Sequence, residues 1–496
     1  MLQLLNLSFE WAGRPVFENL NFSFGTKKYG LVGRNGVGKS TLAKLIAGEL
    51  QPENGKLISQ ASTLYLPQME KRGEGAFDSL EPAVLSSLAH LGFQSQNLKL
   101  ARHFKDLSGG EWMRLRLAKI LAQPPDLLIL DEPTNHLDRP GKRAVIDFIE
   151  HFSGTLIIIS HDRDVLRHVD EIVELTPQSL VRFGGDFDFF WAERQRLKAL
   201  QDNEVDFAHR ERRKKELKRR EEIESQEKRI RRGNQMGAQG GLPKIIQGMK
   251  KRQAQITAAK LKTRWDSSVS QAREKLEDVI EGRNPDPFLR LDFKSSSAPG
   301  SKVLYSVEDL NLRFAEREAS LWPRPISFQM KGQDRWLIKG SNGSGKSSLL
   351  DLMRRGFGGR ANCRSPEDGV VSLDQEQNIL TEEFSVLENV SESTRFNMSE
   401  LRNELAFYGF TKDRVHQKVE TLSGGERLRA ALAKMFLGLT LPRVILLDEP
   451  TNHLDFQSQE LLERALQHFE GLLVVASHDE RFVENLRITQ VLELET

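Results

Sequence analysis

The sequence predicts an α/β protein: two doubly wound, parallel-sheet domains joined by a long basic α-helical hairpin. Three observations carry this. One set of motifs occurs twice in the same order, apolar runs end in glycine-rich turns, and a strongly basic segment separates the two copies.

The duplication comes first. LVGRNGVGKST at 31–41 returns as IKGSNGSGKSS at 338–348, and LSGGE at 107–111 returns at 422–426. LLILDEPTNHLD (127–138) matches VILLDEPTNHLD (444–455), and IIISHDRDVL (157–166) matches VVASHDERFV (474–483). Four ordered pairs mean two homologous domains. YGLVG and RWLIKG are short apolar strands that run into the glycine-rich turns, with KSTLAKLIAGEL and KSSLLDLMRRGF continuing as helices. LLILD, TLIIIS, VILLD and LLVVAS are apolar enough for parallel strands buried on both faces. Residues 2–25 and 303–330 alternate apolar and polar side chains, which predicts an antiparallel flank in each half. The expected boundaries are 1–190 and 301–496 for the two domains, with linker and hinge at 191–300.

Composition narrows the class. The chain of 496 residues has room for two or three cores, and no apolar run reaches transmembrane length. The opening MLQLLNLSFEWAG lacks a charged region before a long apolar stretch, so no signal peptide is expected. The single cysteine, Cys363, excludes an intrachain disulfide and fits a reducing cytoplasm. Residues 193–265 hold 22 Lys/Arg against 10 Asp/Glu, whereas the whole chain is only +2. A basic insert between two acidic blocks points to a polyanionic partner.

Gly33-Arg34-Asn35-Gly36-Val37-Gly38-Lys39-Ser40 and Gly340-Ser341-Asn342-Gly343-Ser344-Gly345-Lys346-Ser347 both fit the phosphate-loop pattern G-x-x-x-x-G-K-[ST]. Glycines let backbone N–H groups turn inward, and the helix N-terminus that follows favours negative charge. Lys39 and Lys346 would reach the β,γ-phosphates of ATP; Ser40 and Ser347, followed by Thr41 and Ser348, would hold Mg2+ and phosphate. Asp131 and Asp448 end apolar strands, where a carboxylate can hold Mg2+. Glu132 and Glu449 follow directly and are placed to polarise a water, while His161 and His478 could hold that water or the γ-phosphate. LSGGE opens a helix far from its own phosphate loop. Ser108 and Gly110, and Ser423 and Gly425, are therefore expected to cap the other half's nucleotide. This makes two composite sites, Lys39 with Ser423 and Lys346 with Ser108.

In the linker, Ala258, Leu261, Trp265, Val269, Ala272, Leu276 and Val279 form an amphipathic helical stripe; Leu197, Leu200, Phe207, Leu217, Ile223 and Ile230 form a sparser one. Two antiparallel helices of roughly 40 residues would each reach about 60 Å. GNQMGAQGGLP (233–243) is expected to break the helix between them. Lys228, Arg229, Arg231 and Arg232 before it and Lys244, Lys250, Lys251 and Arg252 after it suit phosphate contacts on folded RNA.

Walker-type loop, LSGGE, ILDEPTNHLD and SHD in this order resemble the ATP-binding cassette superfamily. Two cassettes in one chain, DEPTNHLD in both and a charged linker resemble its ABC-F family, and the resemblance covers essentially the whole chain. It implies two P-loop NTPase ATP-binding cassette domains, ATPase activity with ATP and Mg2+, and hydrolysis-driven release from the ribosome. The Q-loop glutamines would be Gln68 and Gln375. The adenine-stacking aromatics would be Trp11, with Phe9 as the alternative, and Phe314. The linker would act at the ribosomal E site on peptidyl-site tRNA and 23S rRNA near the peptidyl-transferase centre, relieving stalls or protecting against antibiotics. The protein would be a cytoplasmic monomer whose cassettes pair with each other, without membrane or permease. A DNA-associated cassette ATPase and a transporter motor remain the alternatives.

Overall fold

The structure is a computed structural model that describes residues 2–11, 13–68, 81–91, 109–135, 137, 139–238, 244–281, 300–312, 320–359, 363–366, 368–373, 379–452 and 454–494. It has two compact units, Met1–Phe190 with Pro287–Thr496 and Trp191–Asp286. Both motif-bearing halves lie in the first.

The first half has strands β1 (Leu2–Trp11), β2 (Arg14–Phe24), β3 (Lys28–Val32), β4 (Asn54–Ser59), β5 (Thr63–Leu66), β6 (Leu127–Asp131), β7 (Thr155–Ile159), β8 (Glu171–Leu175) and β9 (Leu180–Gly184). Its main sheet runs β5-β6-β7-β3-β8-β9, parallel except for the β8/β9 pair. β6 is buried at all five positions, which is why LLILD carries no polar residue before Asp131. β2-β1-β4 form the antiparallel flank, as the alternation requires.

The second half repeats the plan with β10 (Val303–Leu310), β11 (Ile326–Lys331), β12 (Arg335–Lys339), β13 (Cys363–Arg364), β14 (Val370–Leu373), β15 (Val444–Asp448), β16 (Leu472–Ala476) and β17 (Gln490–Glu493). The parallel sheet β14-β15-β16-β12-β17 stands beside the antiparallel β11-β10-β13. In both halves the phosphate-loop strand (β3, β12) lies next to the strand that precedes SHD (β7, β16), so the motifs converge at one sheet edge. The core of the first half contains Phe17, Leu42, Ile129 and Ile157; that of the second contains Leu349, Leu446 and Val474.

The second unit holds the helix Phe187–Ala238 from Trp191 onward, its first turn belonging to the first unit, and the helix Lys244–Glu281. They pack antiparallel: Glu216 pairs with Arg273, Arg219 with Asp266 at 2.5 Å, and Glu222 accepts the Trp265 indole N–H at 2.8 Å. Two expectations are corrected. The first helix continues through Gly233 and Gly237, because a glycine inside a helix costs only about 1 kcal/mol and neighbouring helix formers can offset it; residues 239–243 lie outside the described residues. The stripe of the first helix is also different. Leu197, Leu200, Phe207 and Leu217 are exposed, and Val205 and Ala208 are buried. In the second helix Val269 and Ala272 are buried as the stripe predicts. Among the described residues no helix is long and apolar enough to cross a membrane.

Candidate nucleotide-binding site

In each half the phosphate loop opens a helix, Lys39–Ile46 and Lys346–Arg355, through a left-handed glycine, Gly38 (φ 101°) and Gly345 (φ 89°). A Cβ on Gly38 would lie 2.4 Å from Val16 Cγ1, and one on Gly345 2.5 Å from Leu321 Cδ2. Only glycine fits either place. Gly33 (φ 155°), Gly36 (φ 79°) and Gly343 (φ 84°) are also left-handed, whereas Gly340 is crowded by Ser344 Oγ. Lys39 Nζ donates to the carbonyls of Gly33 (2.8 Å) and Arg34 (3.1 Å); Lys346 Nζ donates to those of Gly340 (2.8 Å) and Ser341 (3.1 Å). Each ammonium thus holds its own loop in the shape of a phosphate cradle. Burial pushes the Lys39 ammonium below its ordinary pKa, against the pull of Glu132, Asp455 and Asp131.

A cleft of about 650 Å3 gathers Trp11, Asn35, Gly36, Gly38, Lys39, Ser40, Thr41, Gln68, Asp131, Glu132 and His161. Trp11 is 60% exposed while Phe9 is 8% exposed and belongs to the core, so Trp11 presents the ring to this cleft. Ser40, Gln68 and Asp131, oxygen donors that line this cleft together, suit a hard divalent cation, and the adjoining glycine loop suits a triphosphate. In the second half Asn342, Gly343 and Gly345 follow β12, Lys346, Ser347 and Ser348 open the next helix, and Asp448 ends β15, the same order of elements. Ser108, Phe314 and Gln375 lie outside the described residues.

The two glutamates are held alike. Glu132 (φ 47°) and Glu449 (φ 45°) adopt the left-handed conformation, which is uncommon for residues with a side chain. Their N–H groups donate to Ile159 O and Ala476 O, each at 2.8 Å. His161 Nε2 is 3.7 Å from the Glu132 carboxylate and His478 Nε2 3.5 Å from that of Glu449. His478 Nε2 also meets Lys346 Nζ at 3.2 Å. Burial, helped by Asp131 and opposed by Lys39, pushes the Glu132 carboxyl up to about 8. Burial, opposed by the His478 N–H and Lys346, pushes Glu449 to about 7. Both glutamates line a second cleft of about 290 Å3 together with His161, Asn342 and His478, so it draws its walls from both halves.

Three contacts across the halves were not foreseen from the motifs. Asp455 Oδ2 accepts the N–H of Asn35 at 3.2 Å, and Gln457 Oε1 accepts Arg34 Nε at 3.0 Å. Arg163 and Glu463 form a buried ion pair at 3.1 Å. Burial tends to raise the Asp455 carboxyl, but N–H donors from Ser458 and Asn35 outweigh it and hold the group below its ordinary value. Gly425 packs against the same turn, since a Cβ there would lie 2.4 Å from Ser458 Oγ. Ser423 caps its helix, Gly424–Leu437, in a capping box with Glu426. Gly110 lies in the equivalent helix, Gly109–Ala122. Within the first half, Tyr65 O–H donates to Asp131 Oδ2 at 2.9 Å; its partner could not be read from LYLPQ.

In the linker, Arg229, Arg231, Arg232 and Arg252 are exposed on their helices. Lys244, Lys250 and Lys251 lie in the second helix, their side chains beyond the described set.

The ABC transporter family model matches residues 17–135 and again 323–452. The ribosome protection protein VmlR of Bacillus subtilis is 30% identical over 98% of this chain and 85% of its own length. The probable ATP-binding protein YheS of Escherichia coli K12 is 30% identical over 92% of this chain and 73% of its own. A chain in the crystal structure of archaeal ribosomal stalk protein aP1 with archaeal ribosome recycling factor aABCE1 shares the fold, with a TM-score of 0.57, 18% identity and coverage of 98% and 87%.

Proposed function

The chain belongs to the ATP-binding cassette family, in its ABC-F branch, and from that premise we propose a ribosome-acting ATPase whose basic hairpin is committed to RNA while ATP holds the two cassettes together. The observation that carries the reading is the match to VmlR, because at 98% of the chain it runs through the linker as well as both cassettes.

ATP hydrolysis follows from the twin sites. Lys39, fixed on two loop carbonyls, would turn its remaining hydrogen onto a phosphate, and Lys346, held by two loop carbonyls and facing His478 Nε2, would give its third hydrogen to a phosphate in place of that imidazole. Bound Mg2+, held by Ser40, Asp131 and Gln68 or by Ser347, Asp448 and Gln375, would draw charge from the β,γ-phosphates. Glu132 and Glu449, fixed through their backbone N–H groups, would orient a water and take its proton, with His161 and His478 beside them. Ser423 and Gly425 would close on the first nucleotide, and Ser108 and Gly110 on the second. Cleavage of the γ-phosphate would remove contacts made from both sides and let the halves part.

In this reading the closed form occupies the ribosomal E site. Arg229, Arg231, Arg232, Lys244, Lys250, Lys251 and Arg252 meet peptidyl-site tRNA and 23S rRNA, which relieves stalling or counters an antibiotic. The protein works as a cytoplasmic monomer without a permease.

The test is co-sedimentation with ribosomes on sucrose gradients. Glu132→Gln with Glu449→Gln should slow turnover by about 10²–10⁴ and leave the protein bound to ribosomes in ATP. A trapped protein that ignores ribosomes and shifts branched DNA instead would replace this reading with a DNA-associated one.

A further inference from the structure

We propose that Phe456, supplied by the second cassette, is a positioning residue that ties His161 of the first site to the foot of the long basic helix. Phe456 opens the helix Phe456–Gln467 and is 3% exposed. Its ring meets the His161 imidazole edge-on, with centroids 5.4 Å apart and planes at 70°. It also packs on Phe187 at 5.0 Å, and Phe187, wholly buried, is the first residue of the helix that runs to Ala238. The next residue, Asp188, bonds Arg167 of the first cassette at 3.0 Å and Arg481 of the second at 3.2 Å. The Arg481 guanidinium lies 5.8 Å from the Phe187 ring centre.

The neighbours of Phe456 complete the link. Asp455 and Gln457 hold the first phosphate loop at Asn35 and Arg34. Three consecutive residues therefore touch the phosphate loop, the histidine and the helix foot. A close-packed ring cannot absorb a shift of its neighbours, so movement at Asn35 or His161 is passed to Phe187. Asp188, bonded to both cassettes, makes the helix foot follow any change in the spacing of Arg167 and Arg481.

The duplication supplies an internal control. His161 and His478 are 317 residues apart, and the same offset places Arg139 where Phe456 stands. Arg139 is exposed and forms an ion pair with Glu480, so the residue at the equivalent place is a cation bound to the second half rather than a buried phenyl ring. The coupling belongs to the first site. It rests on the reading that ATP governs the linker, whichever RNA the linker meets.

The test is a distance measurement. With Cys363→Ser removing the chain's one cysteine, Ile58→Cys and Leu200→Cys, both at exposed positions, carry spin labels. The background is the doubly trapped Glu132→Gln/Glu449→Gln chain, with and without ATP. The parent should show an ATP-induced change of distance that Phe456→Tyr keeps. Phe456→Ala and Asp188→Asn should lose most of it, a drop in coupling of roughly tenfold. Asp188 is exposed, so that variant leaves the core intact. In the singly trapped Glu449→Gln chain, Phe456→Ala should lower kcat with KM for ATP unchanged. A shift in Phe456→Ala and Asp188→Asn equal to the parent's overturns the role of Phe456. A parent that does not respond to ATP overturns the proposal together with the reading beneath it.

Discussion

Burial sets the protonation of the two glutamates before any ligand arrives. In the proposed hydrolysis each would accept a proton, and each is raised toward neutrality, which suits a general base. The same shift has a stability cost with a definite sign. The folded Glu132 carboxyl, at about 8 against an ordinary 4.5, binds its proton more tightly than the unfolded one. Its stabilising contribution is full below the unfolded value and is lost as pH rises toward 8. Nucleotide-free Glu132→Gln should therefore melt higher than the parent by a few degrees, about 2–4 °C per kcal/mol, with the gap widening from pH 5 to pH 8 in calorimetric scans. A gap that does not change with pH would show that Glu132 is ordinarily ionised. The identity of both glutamates was legible from DEPTNHLD, since a carboxylate after an apolar strand has few other uses. Tyr65 was not. Its O–H on Asp131 depends on β5 lying beside β6, a pairing of residues 66 apart, and Ser372 takes its place in LDQ's preceding strand of the second half.

Among the elements, the hairpin shows how far periodicity carries. The stripe around Val269 and Ala272 was readable because one face is apolar at helical spacing; the first helix has no such face, and its buried positions are set by the partner helix. Arg229, Arg231 and Arg232 stand exposed near its end, seven to ten residues past the interhelical contact at Glu222. Replacing all three by Gln should lower the slope of log affinity for transfer RNA against log salt by about 2. Titration over a range of salt concentrations measures this, and an unchanged slope would remove these residues from the RNA surface. ATP turnover without ribosomes should be unaffected, because none of the three touches a nucleotide site.

At the scale of the molecule, the halves are related by duplication but joined unequally. Arg163 of the first pairs with Glu463 of the second in a buried contact that Asn485 also supports at 2.9 Å. The 317-residue offset puts Glu480 at the position of Arg163 and Ile146 at that of Glu463, so the pair has no counterpart. Glu463→Leu should cost about 3–5 kcal/mol, because it removes the paired carboxylate from a buried guanidinium, whereas Arg163→Met with Glu463→Leu should cost clearly less. Chemical denaturation compares them; equal losses in both would mean that the pair contributes shape rather than charge balance.

By itself the sequence determined the two-cassette plan, the phosphate loops, the acid pairs and the charge of the linker. These are local patterns, each dictated by the geometry of a single strand, turn or helix. Only the tertiary structure decided which residues meet across the halves: Asp455 on Asn35, Arg163 on Glu463, and Phe456 between His161 and Phe187. Such contacts join residues hundreds of positions apart, and no local pattern encodes them because either partner alone is an ordinary polar or aromatic side chain.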